Sequence, residues 1–278
     1  MTPIFTFQSA DFSLDHAHSA DLKMVVGDEA VSILVRSGGK IQALKCWQLT
    51  GADPSNSISE HELRRILGAE KVLDIAIGSK VCALSVPTVT LVPKRLFSSN
   101  ELEKYFRLLV NPGVKYTYEY THIPGIDAYL VWATEHYLHQ LLSPYFKPNQ
   151  FTHLAASLIQ NLSDQSPTDY FAVYGNIRNQ RLQLLVYDRQ QLVFYNSFAF
   201  EKPADLLYYI LLIYRQFDLK PTNLPLQLSG TLLEDSEIYK LLFRYFKSIH
   251  FLKPAKGFIL SENAKSLPEH FWFDITTI

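Results

Sequence analysis

"YFAVYGNIRNQRLQLLVYDRQQLVFYNSF", residues 170–198, reads as three short strands joined by two tight turns. A run of the same design, "LKMVVGDEAVSILVRSGGKIQALKCWQL", spans residues 22–49. In it Leu22, Met24 and Val26 alternate with Lys23 and Val25, the period of two that marks a strand. "GDE" supplies one turn and the glycine pair in "SGGK" the other. One chain thus carries the same three-strand meander in each half.

Working outward from the first meander, "SISEHELRRIL" opens a helix, with Ser59 and Glu62 spaced as a capping box. "VLDIAI" follows as an apolar strand. A stretch of different character comes next. "KVCALSV", "TVTLVP", a helix "SSNELEKYFRLLV" capped by Ser98 with Glu101, and "VKYTYEYTHI" predict a small mixed unit punctuated by Pro87, Pro93 and Pro112. The main pattern resumes with strand "DAYLVWA", helix "TEHYLHQLLSPYF", strand "NQFTHL" and helix "LAASLIQNL". "SDQSPTD", residues 163–169, is the linker candidate. After the second meander come a helix begun by Pro203, strand "LPLQLSG", helix "EDSEIYKLLFRYF" and strand "SIHFLKP"; "HFWFDI" reads as a closing strand.

Each half therefore runs meander, helix, strand, helix, strand. Right-handed crossovers carry the later strands, which predicts an α/β fold: two tandem domains, each a mixed five-stranded sheet flanked by helices. The expected limits are 1–166 and 167–278, with the α+β insertion at about 79–124.

Composition narrows the function classes. Apolar residues make up 47% of the 278 and charged residues 19%, a globular balance. Against 27 acidic residues stand 26 basic ones, so no charge excess recruits nucleic acid or an anionic membrane. The longest apolar run, residues 206–214, falls short of the roughly twenty that span a bilayer, and residues 1–21 lack a signal-peptide pattern. Cys46 and Cys82 leave a disulfide open but suit a reducing cytosol better. The expectation is a cytoplasmic protein.

Two such units with an insertion in the first resemble the actin-like ATPase superfamily, built from duplicated ribonuclease H-like domains. The insertion's placement is similar to that in the actin-like proteins of type IV pilus assembly and type II secretion. "LKMVVGDEAVSILV", "TLVPKRLF" and "YEYTHIPGIDAYLVWA" resemble an uncharacterised bacterial family of that superfamily. The resemblance implies a site where ATP and Mg²⁺ are held by the first hairpin of each domain, usually through an Asp two residues before a Gly. The matching glycines are Gly27 and Gly175, and the residues two before them are Val25 and Val173. Neither valine can hold a cation or orient water. Asp28 and Glu29 follow Gly27, whereas Asp21 and Asp169 lie at the wrong end of their strands. Around the second hairpin, Asn176, Arg178, Asn179 and Arg181 offer donors to phosphate, but read more simply as a solvated turn. The adenosine-approach position matches Ser229, Gly230 and Thr231.

Other constellations are weaker. Asp15, His16, His18 and Asp21 are of zinc-ligating type in an irregular entry; His136 and His139 share a helix face without metalloprotease spacing. The helix at 203–217 is apolar all round from Leu206 to Tyr214, so it needs covering on two sides, by its own sheet and by the other domain or another chain. The reading is a degenerate actin-like ATPase that binds a protein or itself, with no catalytic residues and no metal. The rival is an ATP-binding switch using Gly27, Gly175, Asn176, Arg178, Ser229, Gly230 and Thr231.

Overall fold

The computed structural model describes residues 3–9, 12, 18–28, 30–49, 58–178, 180–254, 258 and 268–278. These fall into two compact units, one drawn from Met1–Ala156 with Phe258 and Ile278, the other from Ser157–Lys256 with residues 268–277. The sequence reading put the divide at 166/167, after the intervening helix rather than near its start.

The first unit opens with β1 (Phe5–Gln8), a strand the sequence reading missed. The meander follows as β2 (Asp21–Gly27), β3 (Ala30–Ser37) and β4 (Lys40–Gln48). Helix α1 (Glu60–Ala69) starts where expected, the Ser59 hydroxyl accepting the Glu62 N–H at 3.4 Å. Next are β5 (Ser79–Ser85), β6 (Val89–Pro93), β7 (Tyr116–His122), β8 (Ala128–Glu135), α2 (His136–Leu142) and β9 (Phe151–His153).

Strands lie in the order β1-β4-β3-β2-β5-β9. The meander is antiparallel, while β5 and β9 join parallel to β2. Val25 and Val26 are fully buried, as in a strand covered on both faces. Each buried aliphatic side chain contributes roughly 1.5–3 kcal/mol. β6, β8 and β7 form a separate three-stranded sheet whose apolar face packs on a 3-10 helix, Ser99–Phe106, through the fully buried Phe106.

Helix α3 (Leu154–Gln165) leads to the second meander, β10 (Phe171–Arg178), β11 (Arg181–Asp188) and β12 (Gln191–Ala199). Then come α4 (Pro203–Gln216), β13 (Leu226–Gly230), α5 (Glu237–Leu242), β14 (Ile249–Phe251) and α6 (Phe273–Thr277). The order is β12-β11-β10-β13-β14, the same as the first unit without its edge strand. One face packs on α4 and α5 through Val173, Ile177, Leu184, Ile210 and Tyr214. The other face meets α3, with the Tyr187 hydroxyl donating to Ile159 O at 2.7 Å.

The duplication reaches into detail. The second and third strands slip register between Val35 and Arg36 in one unit and between Val186 and Tyr187 in the other, after the sixth residue of each second strand. Both meanders then turn through two left-handed residues, Gly38 and Gly39 (φ 58° and 78°) or Arg189 and Gln190 (φ 47° and 66°).

Several expectations are corrected. Residues 72–77 form no strand: Lys71–Leu73 is a 3-10 turn, and the parallel core strand is β5, read from sequence as the insertion's first strand. β8 belongs to the small sheet rather than to the resumed main pattern, so that sheet runs from Val89 to Glu135. Ser98 makes no side-chain cap; the Tyr105 hydroxyl takes its N–H instead, at 2.8 Å. "HFWFDI" is helical, a 3-10 turn Glu269–Trp272 running into α6. Its aromatic alternation mimics a strand because a short helix buried nearly all round has no polar stripe to reveal its period. Cys46 and Cys82 are both buried thiols, with no disulfide between them. Among the described residues, no helix is long and apolar enough to cross a membrane.

Candidate functional site

Alternation along β10 divides the second hairpin between two faces. Val173 and Ile177 point into the α4/α5 core, and a Cβ on Gly175 would come 2.9 Å from Leu228 Cδ2 on that side. Gly175 is thus a packing glycine. Tyr174, Asn176 and Arg178 lie on the opposite face, where Asn176 and Arg178 are only 2% and 8% exposed. Arg181, Gln183 and Ser229 are equally buried. The solvated-turn reading of this hairpin is therefore overturned; Asn179 lies outside the described residues.

What permits such burial is a carboxylate that the sequence reading passed over. Asp274 of α6, fully buried, receives Arg178 through Nε and, at 2.8 Å, through Nη2. The fork spans both carboxylate oxygens, the geometry that makes an Arg–carboxylate pair strong. Asn176 Nδ2 adds a longer contact to Oδ2 at 3.4 Å, and Oδ1 also accepts the Ile275 N–H at 2.7 Å. Asn176 is itself held by Ser229 Oγ, which donates to its Oδ1 at 2.9 Å. The parallel register sets Asn176 directly beside Ser229. Along β11 the row continues: Tyr195 donates to Gln183 Oε1 at 3.2 Å, and burial pushes its phenol well above the ordinary tyrosine range.

Gly230 has a reason of its own. Its φ is +95°, and a Cβ would stand 1.9 Å from Ile177 O. The approach is fixed by backbone: Thr231 N donates to that same oxygen at 2.8 Å. Close packing of β13 on β10 thus accounts for the glycine.

In the first unit the matching glycine, Gly27, pairs with Ser85, and a Cβ there would lie 3.4 Å from the Ser85 Cβ, an ordinary contact. Val25 and Val173 are both fully buried. Asp28 is 5% exposed, and Glu29 lies outside the described residues. Burial, with the Arg36 charge adding to it, lowers the Lys23 amine to about 8.

Of the proposed zinc cluster, Asp15 and His16 lie outside the described residues, while Asp21 pairs with Arg36 at 2.6 Å. His139 and Trp132 share one oxygen of Glu119, at 2.9 and 3.0 Å, and His136 Nδ1 lies 3.0 Å from Thr117 Oγ1. His153, fully buried, uses both ring nitrogens: Nδ1 accepts the Ala155 N–H and Nε2 faces Val86 O. Burial lowers its pKa to about 4.

The model of a family described as protein of unknown function, DUF3822, matches residues 9–249. The chain belongs to that family. No curated protein matches it. Among solved structures, a Bacteroides thetaiotaomicron protein with actin-like ATPase fold and unknown function is 17% identical, with 87% of this chain and 93% of that one aligned at a TM-score of 0.72. A chain of the PilM-PilN type IV pilus biogenesis complex is 14% identical, with 92% and 97% aligned at 0.59. This DUF3822 chain has the actin-like ATPase fold.

The residues named by resemblance thus separate in this DUF3822 protein. Asn176, Arg178 and Ser229 share one buried cluster with Asp274. Gly175 and Gly230 serve packing, Thr231 donates its backbone N–H to β10, and Gly27 lies in the first unit. Asp274 was missed because nothing local marks it. A lone acid in an aromatic run is the available signal, since a charge there needs a buried partner.

Proposed function

We propose that this protein is a non-catalytic member of the actin-like fold, working in the cytoplasm by binding another protein or a second copy of itself. The observation that carries this reading is the filled hairpin of the second unit. The donors that the resemblance assigns to phosphate are engaged inside the chain, and aliphatic side chains replace both metal-orienting acids. Phosphoryl transfer depends on positioning and charge stabilisation, and buried valines supply neither.

Exposed apolar side chains support the binding role. On α4 the buried stripe Leu206, Ile210 and Ile213 leaves Tyr208 and Leu212 outward, 60% and 43% exposed. Beside α5, Phe243 and Tyr245 are 61% and 49% exposed. Large aromatic side chains of this kind are enriched in interface cores. The PilM-PilN structure is itself a complex of an actin-like fold chain with a partner.

Isothermal titration of the intact protein with Mg·ATP tests the reading against a nucleotide switch. No saturable heat is expected; an affinity in the micromolar range would overturn it. Sedimentation equilibrium addresses self-association. Concentration-dependent mass that disappears in Tyr208→Ser/Phe243→Ser supports pairing of copies through these helices.

A further inference from the structure

Asp274 and its receptor come from different parts of the chain. Asn176, Arg178 and Ser229 lie on strands inside the family-matched range 9–249, whereas Asp274 lies beyond it. Residues 268–277 form no strand of the sheet. They rest on it as a short helical segment, with Trp272, Phe273 and Ile275 buried and Asp274 pointed into the cluster. At the segment's start, His270 Nε2 lies 2.7 Å from Leu232 O, and its ring stacks on Phe251 at 3.8 Å. A cavity of about 510 Å³, lined by Leu233, Phe251, Lys253, Glu269 and His270, opens beside it.

The receptor is built to hold a carboxylate, as it holds that of Asp274. The strand register puts Asn176 next to Ser229, and the Ser229 hydroxyl takes the amide oxygen. That leaves the amide N–H₂ facing the ligand. Arg178 presents its rigid fork along the same direction, so one anion meets three donors already aimed at it.

We propose that Asn176, Arg178 and Ser229 form a receptor for a single carboxylate carried on a short helical peptide. Segment 268–277 is that peptide, supplied in cis and exchangeable. A tethered ligand meets its site at an effective concentration on the order of millimolar, so free peptide competes only once the tether is cut. The receptor and its ligand class hold whether or not the protein also binds nucleotide.

The test begins with the full chain carrying a specific protease site inserted between Glu262 and Asn263, folded and then cut. A fluorescent peptide of residues 268–278 is added and its anisotropy followed. Cut protein is expected to take up the peptide while uncut protein does not. The peptide with Asp274→Ala is expected to bind at least about 100-fold more weakly, because it leaves Arg178 buried without its partner. Equal uptake of the two peptides, no uptake of either, or loss of the fold on cutting would each overturn the proposal. A second measurement keeps the chain whole. In Asp274→Ala, sodium acetate is expected to raise the unfolding midpoint above that in equimolar sodium chloride, and to do nothing in Arg178→Met/Asp274→Ala. No acetate-specific rise in the single variant would overturn the carboxylate assignment.

Discussion

The two meanders share strand order, the site of the register slip and the position of the left-handed turn, yet their equivalent hairpins are built of different material. In the first unit, β2 and β3 meet mainly through apolar side chains, with Lys23 and Ser32 the buried polar residues of the two strands and the Arg36–Asp21 pair half-exposed. In the second, β10 and β11 bury Asn176, Arg178, Arg181 and Gln183 on one face, with Asp274 against Arg178 and Asn176. The fold is specified by what the copies share: alternation, turns and crossovers. What a unit can do follows from what they do not share. A polar row on a sheet face endures only with partners supplied, and the second unit draws one from a segment distant in sequence.

The largest expected contrast lies between the two arginines. Arg178→Met strands a buried carboxylate and should destabilise by about 3–5 kcal/mol. Arg36→Met breaks a half-exposed pair and should cost under about 1 kcal/mol. Urea unfolding of both variants reads the difference; equal costs would erase the contrast between the hairpins.

The glycines extend it. Gly230→Ala brings a methyl against Ile177 O at a positive φ and should cost about 3 kcal/mol or more. Gly27→Ala meets only ordinary contacts and should fall within about 1 kcal/mol of the parent, on either side. The same unfolding assay applies, and a tolerated Gly230→Ala would reopen a ligand role for that glycine.

Acid should act on the first unit through His153. His153 has a pKa near 6.5 unfolded and about 4 folded, so the unfolded chain binds more protons between those values. Its contribution is complete above pH 6.5 and is lost as pH falls towards 4, by about 3 kcal/mol. The His153→Leu variant should be less stable than the parent at neutral pH, having lost both ring hydrogen bonds, but its slope between pH 6.5 and 4 should be shallower; an unchanged slope would exclude His153 as its source.

The smallest effect concerns the paired turns. Gln190 holds φ 66° where the first unit has Gly39 at 78°. Gly39→Gln should lower stability by about 0.5–1 kcal/mol, while Gln190→Gly should change it by less, because relief of the left-handed backbone is offset by loss of the hydrogen bond from Gln190 Nε2 to Ser166 O. Thermal unfolding of the exchanged pair shows whether the two turns are equivalent.

Much of this was legible in sequence because the signals were local. Alternation in residues 22–49 and 170–198, the glycine pair at 38–39, Ser59 before α1 and Pro203 at the start of α4 each announce themselves within a few residues. Boundaries that depend on pairing were not legible. Nothing within "KVCALSV" says that it lies beside β2, and nothing within "DAYLVWA" says that it pairs with β6 and β7. The candidate site failed for the same reason. Asn176 and Arg178 look like part of a wet turn until Asp274, 96 residues beyond Arg178, is brought against them.

The central claim is that this actin-like fold carries no phosphoryl-transfer engine. Steady-state phosphate release from the purified full chain with Mg·ATP measures it directly. The account expects a rate indistinguishable from buffer across pH 6–9, unchanged by Arg178→Met. Sustained release that co-purifies with the protein and vanishes in that variant would contradict it.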